Sequence, residues 1–293
     1  MKSASLFLLL LHVAVFSWAQ SKEEIQNEIE IESLNYQCGA DTVRGIDFKY
    51  CYRKARATNN DDIVYFFHGL YGSEKSWQRQ FWGTWFIQKW WYFRGYQPRV
   101  ISISFGPQWL LVNNKKYPLL PLFTEEIMPM MEKRLGGLRK GKRHIIGQSM
   151  GGFNATQVAL RNPGMFSRVA LLCPAITHIG PYDSEKDIQN YVARTGAKLR
   201  LVKKMLTVSR SFFLNKADWD LHNPFNLLKK YKSSERAKFY LSTGMIDGYG
   251  FQEGSKDFYD MAHGKSFFSR WVPVPGGHCN FNRKNTAYFI MGE

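Results

Sequence analysis

The sequence predicts an α/β fold: a mostly parallel central sheet with helices on both faces and an insertion over the sheet edge that carries the site. Three observations lead there. Short β-branched and aromatic runs recur along the chain, helical segments with clear stop signals separate them, and residues 176–236 break that rhythm with a long, basic, aromatic stretch. Strands alternating with helices favour parallel pairing. Right-handed crossovers then collect the strand C-termini on one edge, where sites form.

The chain opens with Met1-Lys2, an apolar run from Leu6 to Val15, and Ser17-Trp18-Ala19. That is the pattern of a secretory signal cleaved after Ala19, and the run is too short to cross a hydrocarbon layer of roughly 30 Å as a helix. Residues 1–19 are therefore expected to be removed, leaving 20–35 as a Glu-rich arm and 36–293 as one domain. The protein is expected to be secreted or periplasmic, where disulfides persist. Its 4 cysteines, Cys38, Cys51, Cys173 and Cys279, allow three pairings. Cys38–Cys51 is favoured because it closes a small strand-turn-strand loop. No spacing resembles a zinc site.

Ile63–Phe67 reads as the first core strand and Arg99–Phe105 as the second. Leu122–Leu135 reads as a helix with Thr124 as its N-cap, stopped by Gly136-Gly137. Arg143–Gly147 is a short buried strand. Gly152–Arg161 is a helix ended by Asn162-Pro163-Gly164, and Arg168–Cys173, Lys238–Ser242 and Ser269–Val274 complete the strands. The insertion carries helical patches such as Leu199–Leu206.

The net charge is +16, with clusters at 139–143, 198–204 and 229–232. Such a field favours anionic partners, and an anionic envelope surface is one candidate. No helix-turn-helix, zinc-finger or ribonucleoprotein motif supports nucleic acid, so none is expected.

Gly147-Gln148-Ser149-Met150-Gly151 has the form Gly-x-Ser-x-Gly between an apolar strand and a helix. A chain reversing that sharply strains the serine backbone and needs small flanking residues. It presents the hydroxyl at a helix N-terminus, where negative charge is favoured. A hydroxyl needs a base, and His278 in Pro275-Gly276-Gly277-His278 follows the last strand. The base needs an orienting acid. Asp247, just past the strand ending at Ser242, is preferred over Glu253, Asp257 and Asp260, whose spacing suggests a solvated helix face. Two amides should hold an oxyanion: Met150 N–H, and Leu70 N–H in the loop His68-Gly69-Leu70-Tyr71-Gly72. His68 is read as a support for that loop. Tyr71, Gln148 and Trp77 are candidates for substrate binding. The 7 His lie singly, so no metal is expected.

With these residues placed, the chain resembles the putative-esterase branch of the α/β-hydrolases, which includes esterase D, feruloyl and acetyl-xylan esterases and mycolyltransferases. The resemblance runs from about Ile63 to the C-terminus. It rests on Phe67-His68-Gly69-Leu70-Tyr71-Gly72-Ser73, on Gly147–Gly152, on Asn223-Pro224 and on Pro275–His278. It implies an acyl-enzyme mechanism without a cofactor. In that fold the positions of Cys173 and Cys279 lie on one edge, which implies a second disulfide bracing the histidine loop. The sequence departs from the branch in its Trp-rich stretch, with Trp77, Trp82, Trp85, Trp90 and Trp91. The expected activity is hydrolysis of a small-molecule, carbohydrate or envelope-derived ester. An acyltransferase with the same three residues, or a non-catalytic surface-binding protein on this scaffold, are the alternatives.

Overall fold

Runs that are apolar at every position form strands buried on both faces. In a computed structural model, which describes residues 36–54, 60–79 and 84–293, the strands are β1 (Gln37–Val43), β2 (Ile46–Arg53), β3 (Ile63–Phe67), β4 (Arg99–Ser104), β5 (Arg143–Gln148), β6 (Arg168–Leu172), β7 (Lys238–Gly244) and β8 (Ser269–Val274). The expected leader 1–19, the arm 20–35 and Trp82 lie outside the described residues.

The strands make one sheet in the order β1-β2-β4-β3-β5-β6-β7-β8. β2 runs antiparallel to β4, while the pairs from β4 through β3, β5, β6 and β7 to β8 are parallel. β3 and β4 are buried at every position. The register sets Phe67 beside Gly147, Gln148 beside Leu172, Leu172 beside Ser242, and Gly244 beside Val274. The strand C-termini therefore share one edge, and the loops carrying Gly69, Ser149, Cys173, Asp247 and His278 leave from it.

The helices are α1 (Trp85–Phe93), α2 (Leu119–Pro121, Leu122–Ile127 and Met128–Arg134 run together), α3 (Met150–Arg161), α4 (Glu185–Thr195), α5 (Leu199–Phe212), α6 (Lys216–His222), α7 (Pro224–Lys230), α8 (Phe251–Gly264) and α9 (Arg283–Met291). Thr124 is not an N-cap. The helix already begins at Leu119, behind Pro118, and its 122–127 stretch is π-helical. Buried Thr124 donates its hydroxyl back to Leu120 O at 3.1 Å. A proline-led first turn lost no hydrogen bond by starting there, which outweighed the threonine signal.

Residues 176–236 carry α4 to α7. Ser184 and Asp187 form a reciprocal capping box at the start of α4, a device that satisfies two otherwise unpaired amides. Asn223 caps α7, with Pro224 in its first turn. Ile179, Tyr191, Ala197, Val202 and Leu206 bury a small core of their own within this stretch.

The Trp-rich stretch is largely core. Trp77 and Trp91 stack with ring centroids 5.7 Å apart, and Trp77 lies 5.2 Å from Phe66. The Trp91 indole donates to Ala287 O in α9 at 3.1 Å. Trp85 is also buried.

Candidate active site

The turn from β5 into α3 places Ser149 at φ 53°, ψ −115°, a conformation L-residues avoid unless the surroundings enforce it. The enforcement is visible. A Cβ at position 151 would lie 2.0 Å from Phe67 O, and one at 147 would lie 2.3 Å from Gly151 O. Only glycine lets α3 pack this closely on β3 and β5. Ser149 N–H donates to Leu172 O at 2.9 Å, which pins the turn to β6.

Ser149 Oγ lies 2.9 Å from His278 Nε2. His278 Nδ1 lies 2.8 Å from Asp247 Oδ2. The other Asp247 oxygen accepts the Tyr249 amide at 2.8 Å. The Asp247 side chain is fully buried and the His278 side chain is 25% exposed, so the imidazole alone faces both the carboxylate and the cavity. Tyr249 and Phe251 meet it edge-on at 4.7 and 5.5 Å. The rival acids are engaged elsewhere: Glu253 with Arg194, Asp257 with His178, and Asp260 with Lys256.

Cys38 pairs with Cys51 and Cys173 with Cys279. The second bridge spans a sequence separation of 106 and ties the end of β6 to the residue after His278. Closing a loop of this length stabilises the folded chain by about 4–5 kcal/mol on the chain-entropy account. Cys173, His278 and Cys279 cluster closely enough to suggest a metal site, but both sulfurs are committed to the bridge.

The loop after β3 reaches the same place. Gly69 sits so close that a Cβ there would be 3.2 Å from Ser149 Cβ. Among the described residues, the amides of Leu70 and Met150 donate to no other backbone group. Both residues line the same cavity as the serine, and their amides are available donors. His68 supports this loop, as read from the sequence. Its Nδ1 donates to Gly69 O at 2.8 Å, and its Nε2 accepts the Trp109 indole N–H at 2.9 Å and lies 2.8 Å from Ser104 Oγ. An indole can only donate, so Nε2 must be unprotonated and the ring neutral.

Burial pushes the His68 imidazole down to about 4, with its bond to Gly69 O opposing. The unfolded ring takes up its proton near 6.5, so stability present above that pH is lost as pH falls toward 4. The loss is at most about 3 kcal/mol. Burial lowers His144 too and adds to the slope. We expect the urea midpoint to fall between pH 7.5 and 4.5, and to fall less in His68→Gln. A wild-type midpoint that stays put across that range contradicts the neutral-ring reading.

A cavity of about 280 Å³ opens over Ser149. Leu110, Phe153, Leu206, Val208 and Trp219 give it an apolar wall, and none of its lining residues is Asp, Glu, Lys or Arg. Tyr71 and Gln148 line it, Tyr71 being 56% exposed at the rim. Trp77 does not. It is 0% exposed, held in the core by Phe66 and Trp91, so its expected substrate role is withdrawn. Sequence reasoning missed Trp109, the rings of Tyr249 and Phe251, and the wall from α5 and α6. The two rings flanking Gly250 next to Asp247 were the one available signal.

The profile of the Putative esterase family matches residues 111–281. No curated protein sequence matches the chain. Among solved structures, a ferulic acid esterase superposes with a TM-score of 0.63 at 15% identity, covering 88% of this chain and 96% of its own. Esterase B from Lactobacillus Rhamnosis gives 0.57 at 16%, covering 97% and 93%. An S-formylglutathione hydrolase from Agrobacterium tumefaciens gives 0.57 at 13%, covering 87% and 91%. At such identities the likeness shows the fold, which is that of the α/β-hydrolases.

Proposed function

The chain belongs to the Putative esterase family and is a carboxylic-ester hydrolase, and from that premise we propose that it is a secreted serine esterase acting on esters with an apolar acyl group. The observation that carries this reading is Ser149 Oγ, 2.9 Å from His278 Nε2, at the floor of an uncharged, apolar cavity. Ser149 attacks the ester carbonyl while His278 Nε2 takes the hydroxyl proton. Asp247 holds Nδ1–H and stabilises the imidazolium. The Leu70 and Met150 amides receive the oxyanion, where each fixed donor contributes about 3 kcal/mol to the transition state. His278 then protonates the leaving alcohol, and a water activated by the same nitrogen releases the acid.

The walls favour an aliphatic or aromatic acyl group over a sugar. With Trp77, Trp85 and Trp91 in the core, most of the described tryptophans that suggested carbohydrate stacking face inward, and the exposed rings of that segment, such as Phe86, do not line the cavity. Two disulfides accord with export. Among the described residues no helix is long and apolar enough to cross a membrane.

A series of 4-nitrophenyl esters from acetate to decanoate tests the reading. Burying each methylene gains about 0.8 kcal/mol, so kcat/KM is expected to rise roughly threefold to fourfold per carbon until the cavity fills, then fall. Folded protein that hydrolyses no member of the series refutes the assignment.

A further inference from the structure

The cavity is uncharged, but its rim is not. Tyr71 holds a left-handed backbone, φ 63°, fixed by its amide donating to Pro107 O at 2.8 Å. Over its ring, 4.6 Å from the centroid, lies the Lys204 ammonium. Lys204 belongs to α5, next to Met205 and Leu206, which line the cavity. The same charge reaches the Tyr249 phenol, which burial raises and Lys204 draws back down. Tyr249 packs on His278, and Lys204, itself exposed, stands over Tyr71 at the rim of the same cavity.

No carboxylate of the described residues answers this cation. Asp247 is buried on His278, Glu253 is bound by Arg194, and Glu185 by the neighbouring Lys203. A lysine held over an aromatic ring gives up side-chain freedom, and without an anion it gains only the modest cation–π attraction of an exposed site. The apolar interior offers nothing to a charged acyl group, so an anion can be met only at the mouth, where the alcohol portion of a bound ester would emerge.

Resting on the serine-esterase reading above, we propose that Lys204 is a specificity-determining residue that selects esters whose alcohol portion carries an anionic group, a carboxylate or phosphate, held at the cavity mouth beside Tyr71.

The test compares two butyrate esters, of 4-nitrophenol and of 3-carboxy-4-nitrophenol, in wild type, Lys204→Met and Lys204→Arg. Methionine keeps the apolar stem against Tyr71 and removes the charge. The expected result is a roughly tenfold loss of kcat/KM on the carboxylated ester in Lys204→Met, carried by KM, with the neutral ester changed less than about twofold, and recovery of most of the preference in Lys204→Arg. High salt should shrink the wild-type preference in the same way. If both esters fall together in Lys204→Met, the lysine only props Tyr71 and the proposal is wrong. If the two esters keep the wild-type ratio in Lys204→Met, it is wrong as well. Loss of activity on the neutral ester in wild type itself would instead overturn the esterase reading, and this inference with it.

Discussion

Ser149→Ala lowers kcat on a 4-nitrophenyl ester by about 10⁵–10⁶-fold, the scale seen when the nucleophile of such a relay is removed. Among the described residues the Oγ is the one hydroxyl in hydrogen-bond reach of His278 Nε2, and no other described hydroxyl stands ready to replace it. What remains is the pull of the Leu70 and Met150 amides on the carbonyl, which by itself leaves a small residual rate over water. The fold should hold. Alanine fits the elbow as well as serine does, and the turn is fixed by main-chain bonds such as Ser149 N–H to Leu172 O. The thermal midpoint is therefore expected to stay within a few degrees while activity disappears. A fluorophosphonate should label wild type covalently and leave the variant unmodified. A variant that keeps more than about one-hundredth of the wild-type rate would mean that Ser149 is not the nucleophile.

The parts of this site that sequence revealed are those governed by local geometry. Gly147 and Gly151 are legible because a strand-to-helix reversal this tight tolerates no Cβ at either place. Once β5 and α3 were recognised, the serine between them was defined. His278 and Asp247 were legible because each follows a strand, and parallel register brings those strand ends together. The cavity wall was not legible. Leu206, Val208 and Trp219 reach it from α5 and α6, and which face of those helices turns inward depends on packing that periodicity does not record. Trp77 shows the converse error. A dense run of tryptophans looks the same in sequence whether its rings face a ligand or one another, and here Phe66 and Trp91 decided it. The His68–Trp109 bond was invisible for a third reason: its partners lie 41 residues apart, joined only when β3 and the loop after β4 come side by side.

Asp247→Asn separates the role of the acid from that of the nucleophile. The carboxylate has two occupied sides: Oδ1 accepts the Tyr249 amide at 2.8 Å, and Oδ2 faces His278 Nδ1 at 2.8 Å. An asparagine in the same pocket must keep its carbonyl toward the Tyr249 N–H, because reversing it would set two donors against each other in a fully buried place. Its NH₂ then points at Nδ1. The imidazole answers by moving its proton to Nε2, the tautomer that can donate to Ser149 but cannot take its proton. We expect kcat to fall about 10⁴-fold, with KM within a few-fold, since the cavity wall is untouched. Asp257→Asn, which breaks a partly exposed pair with His178, should leave the rate near wild type, and the contrast between the two variants identifies the acid. An Asp247→Asn enzyme retaining a tenth of wild-type kcat would show that the histidine is oriented by some other group, and the hydrogen-bonded chain from Asp247 to Ser149 would lose its mechanistic meaning.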